Sequence, residues 1–581
     1  EITTRLVGSE MCIRDSNKGI TLIALGITII VLLILAGVTI TTLTGKNGLL
    51  TKTGEVGFKT EIAKYKEELE LYKTKMFLFD EDSSTLKADT ITDPTIQEII
   101  KSMTDEYAKI LRIEDGNLVY IGNDKEQYIM AEEMGLIPED ALKNDDIFEE
   151  LKPFITEWTV ADEDTITLPI NGTCDFTVDY GDGTEILQVT SASDEERIHT
   201  YEKAGTYTVT ITGQCENFNF AKINTSKDKI IGINQWGVLG KGLKSNYYCF
   251  SQCTNLAGEI PEPSLNSFEN VSSFSNLFRG CNLISGKIPE NMFKGCKKVT
   301  SFSGTFYGCT GLTGTIPKNL FKDCINLEEL GASYHTGCFK DCVGLTGVIP
   351  ENIFDNCPNI KIFTCTFMNC TGLTGNIPEN LFKNNSKVTT FQNIFSGCTG
   401  LTGNIPEDIF KNCIEVENLS GVFDNCTGLS GTIPNNIFKN CRKIKSMGAF
   451  SNCTGLTGEI PEDLFENCTE ITSFEFAFGG CTGLTGSIPE NLFKNCTKAE
   501  RFDYTFFKCT SLRTTIPEKL FSNCTNITSF FRTFWQSSNL TGNAPELWKI
   551  ETVKSYGLCF GGCTNLSNYN EIPSSWGGGG E

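Results

Sequence analysis

A unit of about 28 residues recurs through the second half of this chain, and few folds accommodate such a period. The clearest copy begins Cys481-Thr-Gly-Leu-Thr-Gly-Ser-Ile-Pro-Glu-Asn-Leu-Phe-Lys-Asn-Cys496 and runs on to Cys509. Its leading cysteine returns at Cys253, Cys281, Cys309, Cys342, Cys370, Cys398, Cys426, Cys453, Cys481, Cys509 and Cys563, and the copy near Ser537 has lost it. One step, from Cys309 to Cys342, is longer than the rest. At such a period each unit buries its apolar face against its neighbours, so the expectation is a solenoid with a long exposed surface. A surface of that kind favours recognition over catalysis.

Composition narrows the function further. With 49 basic and 72 acidic residues the net charge is -23, which disfavours nucleic acid as a partner, because phosphates demand basic patches. Only His199 and His335 are available, so a Ser-His-Asp or Cys-His centre has almost nothing to draw on. No catalytic residue, metal site or cofactor is expected. Most of the 26 cysteines occupy two repeat positions, the leading one and a second at Cys296, Cys324, Cys357, Cys413, Cys441, Cys468, Cys496 and Cys524. They read as small buried residues stacked from unit to unit. Disulfides between units are possible on distance, but the lone replacements Asn385 and Ser537 argue against obligatory bonds. The pairs Cys249/Cys253, Cys338/Cys342 and Cys559/Cys563 lie too far apart in sequence to suggest zinc.

The first half is heterogeneous. Residues 1–16 include Leu-Val-Gly-Ser-Glu-Met-Cys-Ile-Arg-Asp-Ser, which resembles a translated sequencing adapter and is set aside. Ile20 to Ile40 is apolar, uncharged and long enough to span a membrane as a helix. The run Asn17-Lys-Gly-Ile-Thr-Leu-Ile23 resembles a type IV prepilin leader, which implies cleavage between Gly19 and Ile20. Ala24 stands where that family carries a glutamate, and this favours a plain membrane anchor over a filament subunit. A charged helical extension follows, to residue 76. Residues 77–150 read as a small α/β module with a hairpin over Leu111–Ile121 at an Asp-Gly turn.

Residues 154–215 alternate apolar and polar positions between turn glycines, so a β-sandwich is expected. Phe176-Thr-Val-Asp-Tyr-Gly-Asp-Gly-Thr184 and His199-Thr-Tyr-Glu-Lys-Ala-Gly-Thr-Tyr207 resemble the PKD domain, an immunoglobulin-like sandwich of extracellular proteins. Asp179 and Asp182 read as turn residues rather than calcium ligands, His199 as a structural hydrogen bonder, and the domain as a rigid spacer. A bridge over 216–248 contains Gln235-Trp-Gly237. Together with the Cys-Thr-Gly-Leu-Thr-Gly-x-Ile-Pro units it resembles BspA-like leucine-rich repeat surface proteins of bacteria. That resemblance implies a surface-exposed protein linked to adhesion. The array is expected over 249–570 as about eleven repeats, and 571–581 reads as a glycine-rich tail, a linker.

Each unit has two apolar clusters, such as Leu401, Ile405, Ile409 and Phe410 in one and Val299, Phe302 and Phe306 in the other. The second resembles the strand of a leucine-rich repeat and predicts a parallel sheet. Positions between the apolar ones are free to vary. In successive units they run Ser275/Asn276, Ser303/Gly304, Gln392/Asn393 and Ser420/Gly421, then change to Glu475/Phe476, Asp503/Tyr504 and Phe531/Arg532, with Trp535 nearby. Aromatics and arginine dominate binding hot spots, so these seven late residues form the candidate ligand patch. The Asn-Cys-Thr triplets are repeat positions rather than glycosylation sites. The fold expected is multidomain and mainly β: a transmembrane helix, an α/β module, an immunoglobulin-like sandwich and a leucine-rich-repeat solenoid. The function expected is non-catalytic recognition at a bacterial surface, of host or matrix protein or glycan. The alternative is a minor pilin-like subunit carrying the array at a filament tip.

Overall fold

The computed structural model describes residues 59–67, 69, 110–114, 117–120, 131, 134–136 and 152–580, less 222–224, 238–242, 245–247 and 264–266. The adapter-like start, the Gly19/Ile20 pair, the apolar segment Ile20 to Ile40 and most of the α/β module lie outside them. Among the described residues no helix is long and apolar enough to cross a membrane. The chain divides into two compact units, Glu1–Phe148 and Glu149–Glu581.

In the first unit a helix over 59–67 buries Ile62 and Tyr65 on one face, and Leu69 continues that line. Lys64 and Glu67 stay exposed, while Lys66 Nζ donates to the Met134 carbonyl. The expected charged helical extension therefore also has a buried face, given by apolar positions three and four residues apart. The expected hairpin is present as β1 (Leu111–Glu114) and β2 (Asn117–Tyr120), antiparallel, with Glu114 opposite Asn117.

The second unit opens with β3 (Phe154–Val160), β4 (Asp164–Thr167), β5 (Ile170–Asp179), β6 (Leu187–Ser191), β7 (Ile198–Tyr201), β8 (Gly205–Phe218) and β9 (Ile230–Gln235). Five of these make an antiparallel sheet in the order β6-β5-β8-β3-β9, and β4 pairs with β7. Period-two alternation puts Phe154, Trp158 and Val160 inside, with Ile166 and Tyr201 from the smaller sheet sharing that core. The sheet takes in more chain than 154–215. β8 reaches Phe218, and β9, from the expected bridge, pairs with β3 because Ile230 and Ile233 are apolar on the core side.

The sandwich is also more than a spacer. The Trp236 ring lies 6.2 Å from Phe154 and 5.1 Å from Phe268, and Phe250 sits 5.7 Å from Phe218 and 5.9 Å from Trp236. Sandwich and first repeats thus share one core, and the sandwich covers the otherwise bare apolar end of the array. At the other end the glycine-rich segment is packed and does not behave as a linker. Trp576 is buried and stacks on Tyr556 at 4.8 Å, its carbonyl accepts from Phe560 N at 2.9 Å, and Gly580 bridges back to Pro573.

Between these caps the repeats stack as rungs. The frame residues Leu401, Ile405, Ile409, Phe410, Val299, Phe302 and Phe306 are all buried. One continuous column of stacked rings runs Phe250, Phe278, Phe306, Phe339, Phe367, Phe395, with centroids 5.6–6.0 Å apart, and goes on to Phe560. A second column passes through Phe293, Phe321, Phe354 and Phe382. Each buried ring contributes roughly 1.5–3 kcal/mol of burial, so the columns are the main source of cohesion.

The expected parallel sheet is reduced to single bridges. Thr390 pairs with Asn418, Asn418 with Ser446 and Ser446 with Ser473, and no described strand of the array exceeds the three residues Glu329–Gly331. In most rungs a left-handed residue stands three places after the bridge, with φ of 58° at Asn276, 71° at Gly304 and 54° at Asn393. A strand cannot continue through it. Alternate residues still donate to the next rung: Phe391 N to Asn418 O, Asn393 N to Ser420 O, Phe395 N to Val422 O and Gly397 N to Asp424 O, at 2.7–3.1 Å. Rung-to-rung bonding therefore survives without strand geometry.

The leading cysteines are thiols with a defined task. Cys281, Cys309, Cys370, Cys398 and Cys481 each donate Sγ–H to the carbonyl of a phenylalanine in the preceding rung, at 2.9–3.1 Å. Burial pushes the Cys398 thiol up to about 12, against a smaller lowering by a backbone hydrogen bond, so it keeps its proton. Ser537 fills the same role, donating Oγ–H to Phe506 O at 2.5 Å. In the second cysteine position Asn385 donates to Cys357 O at 2.8 Å.

Candidate ligand-binding site

The two variable columns lie on the bridge-bearing face, and backbone geometry separates them. The second residue of each pair is the left-handed one. Most early rungs place asparagine or glycine there, which tolerate it, and one places Cys365 (φ 55°). Later rungs place Phe476 (φ 59°), Tyr504 (φ 54°) and Arg532 (φ 55°). Side chains of that size in this region cost roughly 1–2 kcal/mol each, so the fold holds them at an energetic disadvantage. Strain of this kind concentrates where function demands a fixed geometry.

The structure brings most of the seven predicted residues into one half-buried aromatic cluster. The Phe476 and Tyr504 rings stack at 4.4 Å and 10°, and Phe531 meets Tyr504 edge-on at 5.5 Å. The Arg532 guanidinium lies 4.2 Å from the Trp535 ring and 4.9 Å from Phe531, and donates to the Tyr504 hydroxyl at 3.0 Å. Asp503 belongs elsewhere. It is 4% exposed and accepts from Arg501 Nε at 2.9 Å, from the Ser529 hydroxyl and from Phe531 N at 3.1 Å. A carboxylate so enclosed positions the rung backbone and is not open to a ligand. Glu475 stands beside the cluster, half-buried, 3.3 Å from the Arg501 guanidinium. Gly19 and Ile20 lie outside the described residues.

Sequence reasoning missed three participants. Phe507 stacks on Trp535 at 5.2 Å and meets Tyr504 edge-on, extending the cluster. Arg501 ties Glu475 to Asp503. Gly448 forms the bottom of an open groove beside Phe476, a role signalled by the short step from Cys426 to Cys453. This groove has a volume of about 580 Å³ and is lined by Gln392, Asn393, Ser420, Asp424, Asn452 and Phe476 among others. Farther back along the same face the long rung leaves at Gly331 and returns at Gly337. Its loop carries an exposed Tyr334, with Lys340 Nζ 4.4 Å from the Tyr334 ring and 5.1 Å from Tyr307.

A second cleft, of about 640 Å³, follows the Ile-Pro-Glu edge past Glu459, Glu462 and Glu490, and neither an aromatic nor a basic side chain lines it. In the sandwich the acidic turn is structural. Asp179 Oδ1 accepts from Gly181 N at 2.8 Å, and Asp182 accepts from Thr184 N and from its hydroxyl. His199 Nε2 lies 2.7 Å from Asp182 Oδ2 with its ring stacked 4.2 Å from Tyr180. Burial works to raise the Asp182 carboxyl, but the bonds from Thr184 and His199 outweigh it and hold the group below its ordinary value.

Comparison with known proteins gives the array its kinship. Residues 244–346 match the BspA type leucine rich repeat region, in six copies, and residues 354–463 and 448–576 match the family described as Mycoplasma protein of unknown function, DUF285. The array is thus similar to BspA-type leucine-rich repeats. No curated protein matches the chain. Among solved structures, the Arabidopsis receptor kinase HAESA in complex with the peptide hormone IDA and the co-receptor SERK1 is 20% identical. The alignment covers 55% of this chain and 58% of that one, with a TM-score of 0.27. This chain therefore spans less than two thirds of the HAESA chain. The TLR13-ssRNA13 complex is 12% identical, covering 48% of this chain and 45% of that one, with a TM-score of 0.18.

Proposed function

We propose that this protein is a non-catalytic recognition protein of a bacterial cell surface, anchored in the membrane through Ile20 to Ile40 and presenting its repeat array to host or matrix proteins or glycans. One observation carries the reading. The array holds bulky side chains at Phe476, Tyr504 and Arg532 in a backbone conformation that suits glycine, beside an open polar groove. Most other rungs use asparagine or glycine at this offset, as at Asn276, Gly304, Asn393 and Gly421. The likeness to BspA-type repeats supports the same reading, since a solenoid of this kind offers area rather than a reaction centre.

The test is a binding screen of residues 149–581 against immobilised matrix proteins and a glycan array. Saturable binding to at least one member is expected. Failure to bind any member of either set refutes a recognition role. Fractionation of cells expressing the chain, with recovery in the membrane pellet lost on deleting residues 20–40, tests the anchor.

A further inference from the structure

The step from Cys426 to Cys453 is one residue shorter than the flanking 28-residue steps, and the deletion falls at one defined place. Between the buried frame positions other rungs carry two residues, as in Ser420/Gly421 and Glu475/Phe476, whereas between Met447 and Ala449 there is Gly448 alone. The groove floor therefore has no side chain there. Nor can it gain one, since a Cβ on Gly448 would stand 2.6 Å from the Glu475 carbonyl oxygen.

The deletion exposes one ring face. Phe476 and Tyr504 occupy the same offset of successive rungs and stack at 4.4 Å, so their stacking axis follows the rung-to-rung direction. Tyr504 covers one face of Phe476. The other looks back along the array over Gly448, into the groove. The groove behind that face is lined by the Asn452 amide, the carboxylates of Asp424 and Glu475 and the Ser420 hydroxyl, and at its far end by the amides of Gln392 and Asn393. The floor runs back from Phe476 to Gln392 and Asn393. The pairings Thr390–Asn418, Asn418–Ser446 and Ser446–Ser473 at ~4.8 Å each give a trough about 14 Å long.

An aromatic face ringed by amide, hydroxyl and carboxylate groups suits a pyranose: the C–H face of the sugar lies on the ring while its hydroxyls donate to carboxylates and accept from amides. No basic side chain lines the groove, so anionic sugars gain no counter-charge. A peptide finds neither apolar pockets nor a free strand edge, because the rung N–H groups are already used between rungs. We propose that this groove binds a linear neutral glycan, with one pyranose seated on the free face of Phe476. The proposal rests on the recognition reading and names its ligand class.

The experiment uses the full chain in detergent micelles, titrated calorimetrically with linear neutral oligosaccharides of glucose, mannose and N-acetylglucosamine, and with a sulfated oligosaccharide and a matrix protein for comparison. At least one neutral series is expected to bind. Phe476→Gly is expected to weaken it about tenfold, the size of one aromatic contact, and Phe476→Trp to retain it. The glycine variant relieves the left-handed strain and matches Gly304 and Gly421, so its melting temperature should not fall. Inserting one Asn after Gly448, which restores the 28-residue step, should block the ring face and abolish binding. Neutral-glycan binding unchanged in Phe476→Gly overturns the site and leaves the recognition reading intact. Binding confined to the sulfated sugar or to the matrix protein overturns the ligand class. Binding to none of them overturns this proposal, and the wider screen then decides the recognition reading separately.

Discussion

Replacing one leading cysteine tests how the rungs are joined. Cys398 donates its thiol to Phe367 O at 2.9 Å, and that carbonyl also accepts from Cys370 N at 3.0 Å. Cys398→Ala removes a buried hydrogen bond, about 0.5–1.5 kcal/mol net, and the burial of the sulfur, roughly another 1 kcal/mol by analogy with a methylene. The sum is roughly 1.5–2.5 kcal/mol. Cys398→Ser keeps a donor in place, as Ser537 does naturally in its own rung, and should cost less than about 1 kcal/mol. A stacked array need not unfold in two states, so a global melting midpoint dilutes a loss confined to one rung. Native-state hydrogen exchange at the Cys370 and Cys398 amides reports the local free energy directly. The serine variant should protect these amides nearly as well as the parent, and the alanine variant less. If both substitutions cost the same, or if reductant alone lowers protection in the parent, the cysteines act as disulfides and the thiol–carbonyl account fails.

Other perturbations follow from the same contacts. Trp236→Ala should cost about 3–5 kcal/mol and split a shared calorimetric transition into separate sandwich and array transitions. Asp503→Ala takes a buried acceptor from Arg501, Ser529 and the Phe531 amide, so roughly 2 kcal/mol of local stability should be lost, read as faster exchange around Phe531. Glu216 is held down at about 2, chiefly by the hydrogen bond from Lys244 and next by Thr173 N. Because the folded value lies below its ordinary 4.5, its stabilising contribution is present above pH 4.5 and disappears as pH falls toward about 2. Melting temperature against pH should show that acid arm, and Glu216→Gln should flatten it.

The period and the apolar frame were legible because burial leaves a regular mark: Leu401, Ile405 and Phe410 have counterparts at the same offsets in most copies and all three are buried. Backbone handedness left a fainter one. The residue before each leading cysteine is left-handed, and its run of Gly280, Gly308, Asn369, Gly397 and Asn425 gives the position away. Phe476 and Tyr504 carry no such sign, since nothing in a phenylalanine announces a positive φ. It emerges once they are aligned with Gly304 and Gly421. The same hidden turn is why Val299 to Phe306 read as a strand and folds as a single bridge with turns. Asp503 looked like its neighbour Glu475 because sequence gives no direction to a side chain. Its burial follows from Arg501 and Ser529 closing over it.

The place where the chain enters the second unit settles how tension would travel. Ile155 at the start of β3 lies opposite Gln235 at the end of β9, Gln235 Nε2 donates to Pro153 O at 2.7 Å, and Phe154 rests on Trp236. The incoming strand and the exit to the first rung are therefore neighbours at one end of the sheet. A pull on residue 152, resisted by a ligand held on the array, reaches Trp236 and Phe250 without crossing the sandwich. Strands β4 to β8 form a side loop off the mechanical path. They add bulk and shield the array's end, but contribute almost nothing to reach, and the length of any tether must come from elsewhere in the chain.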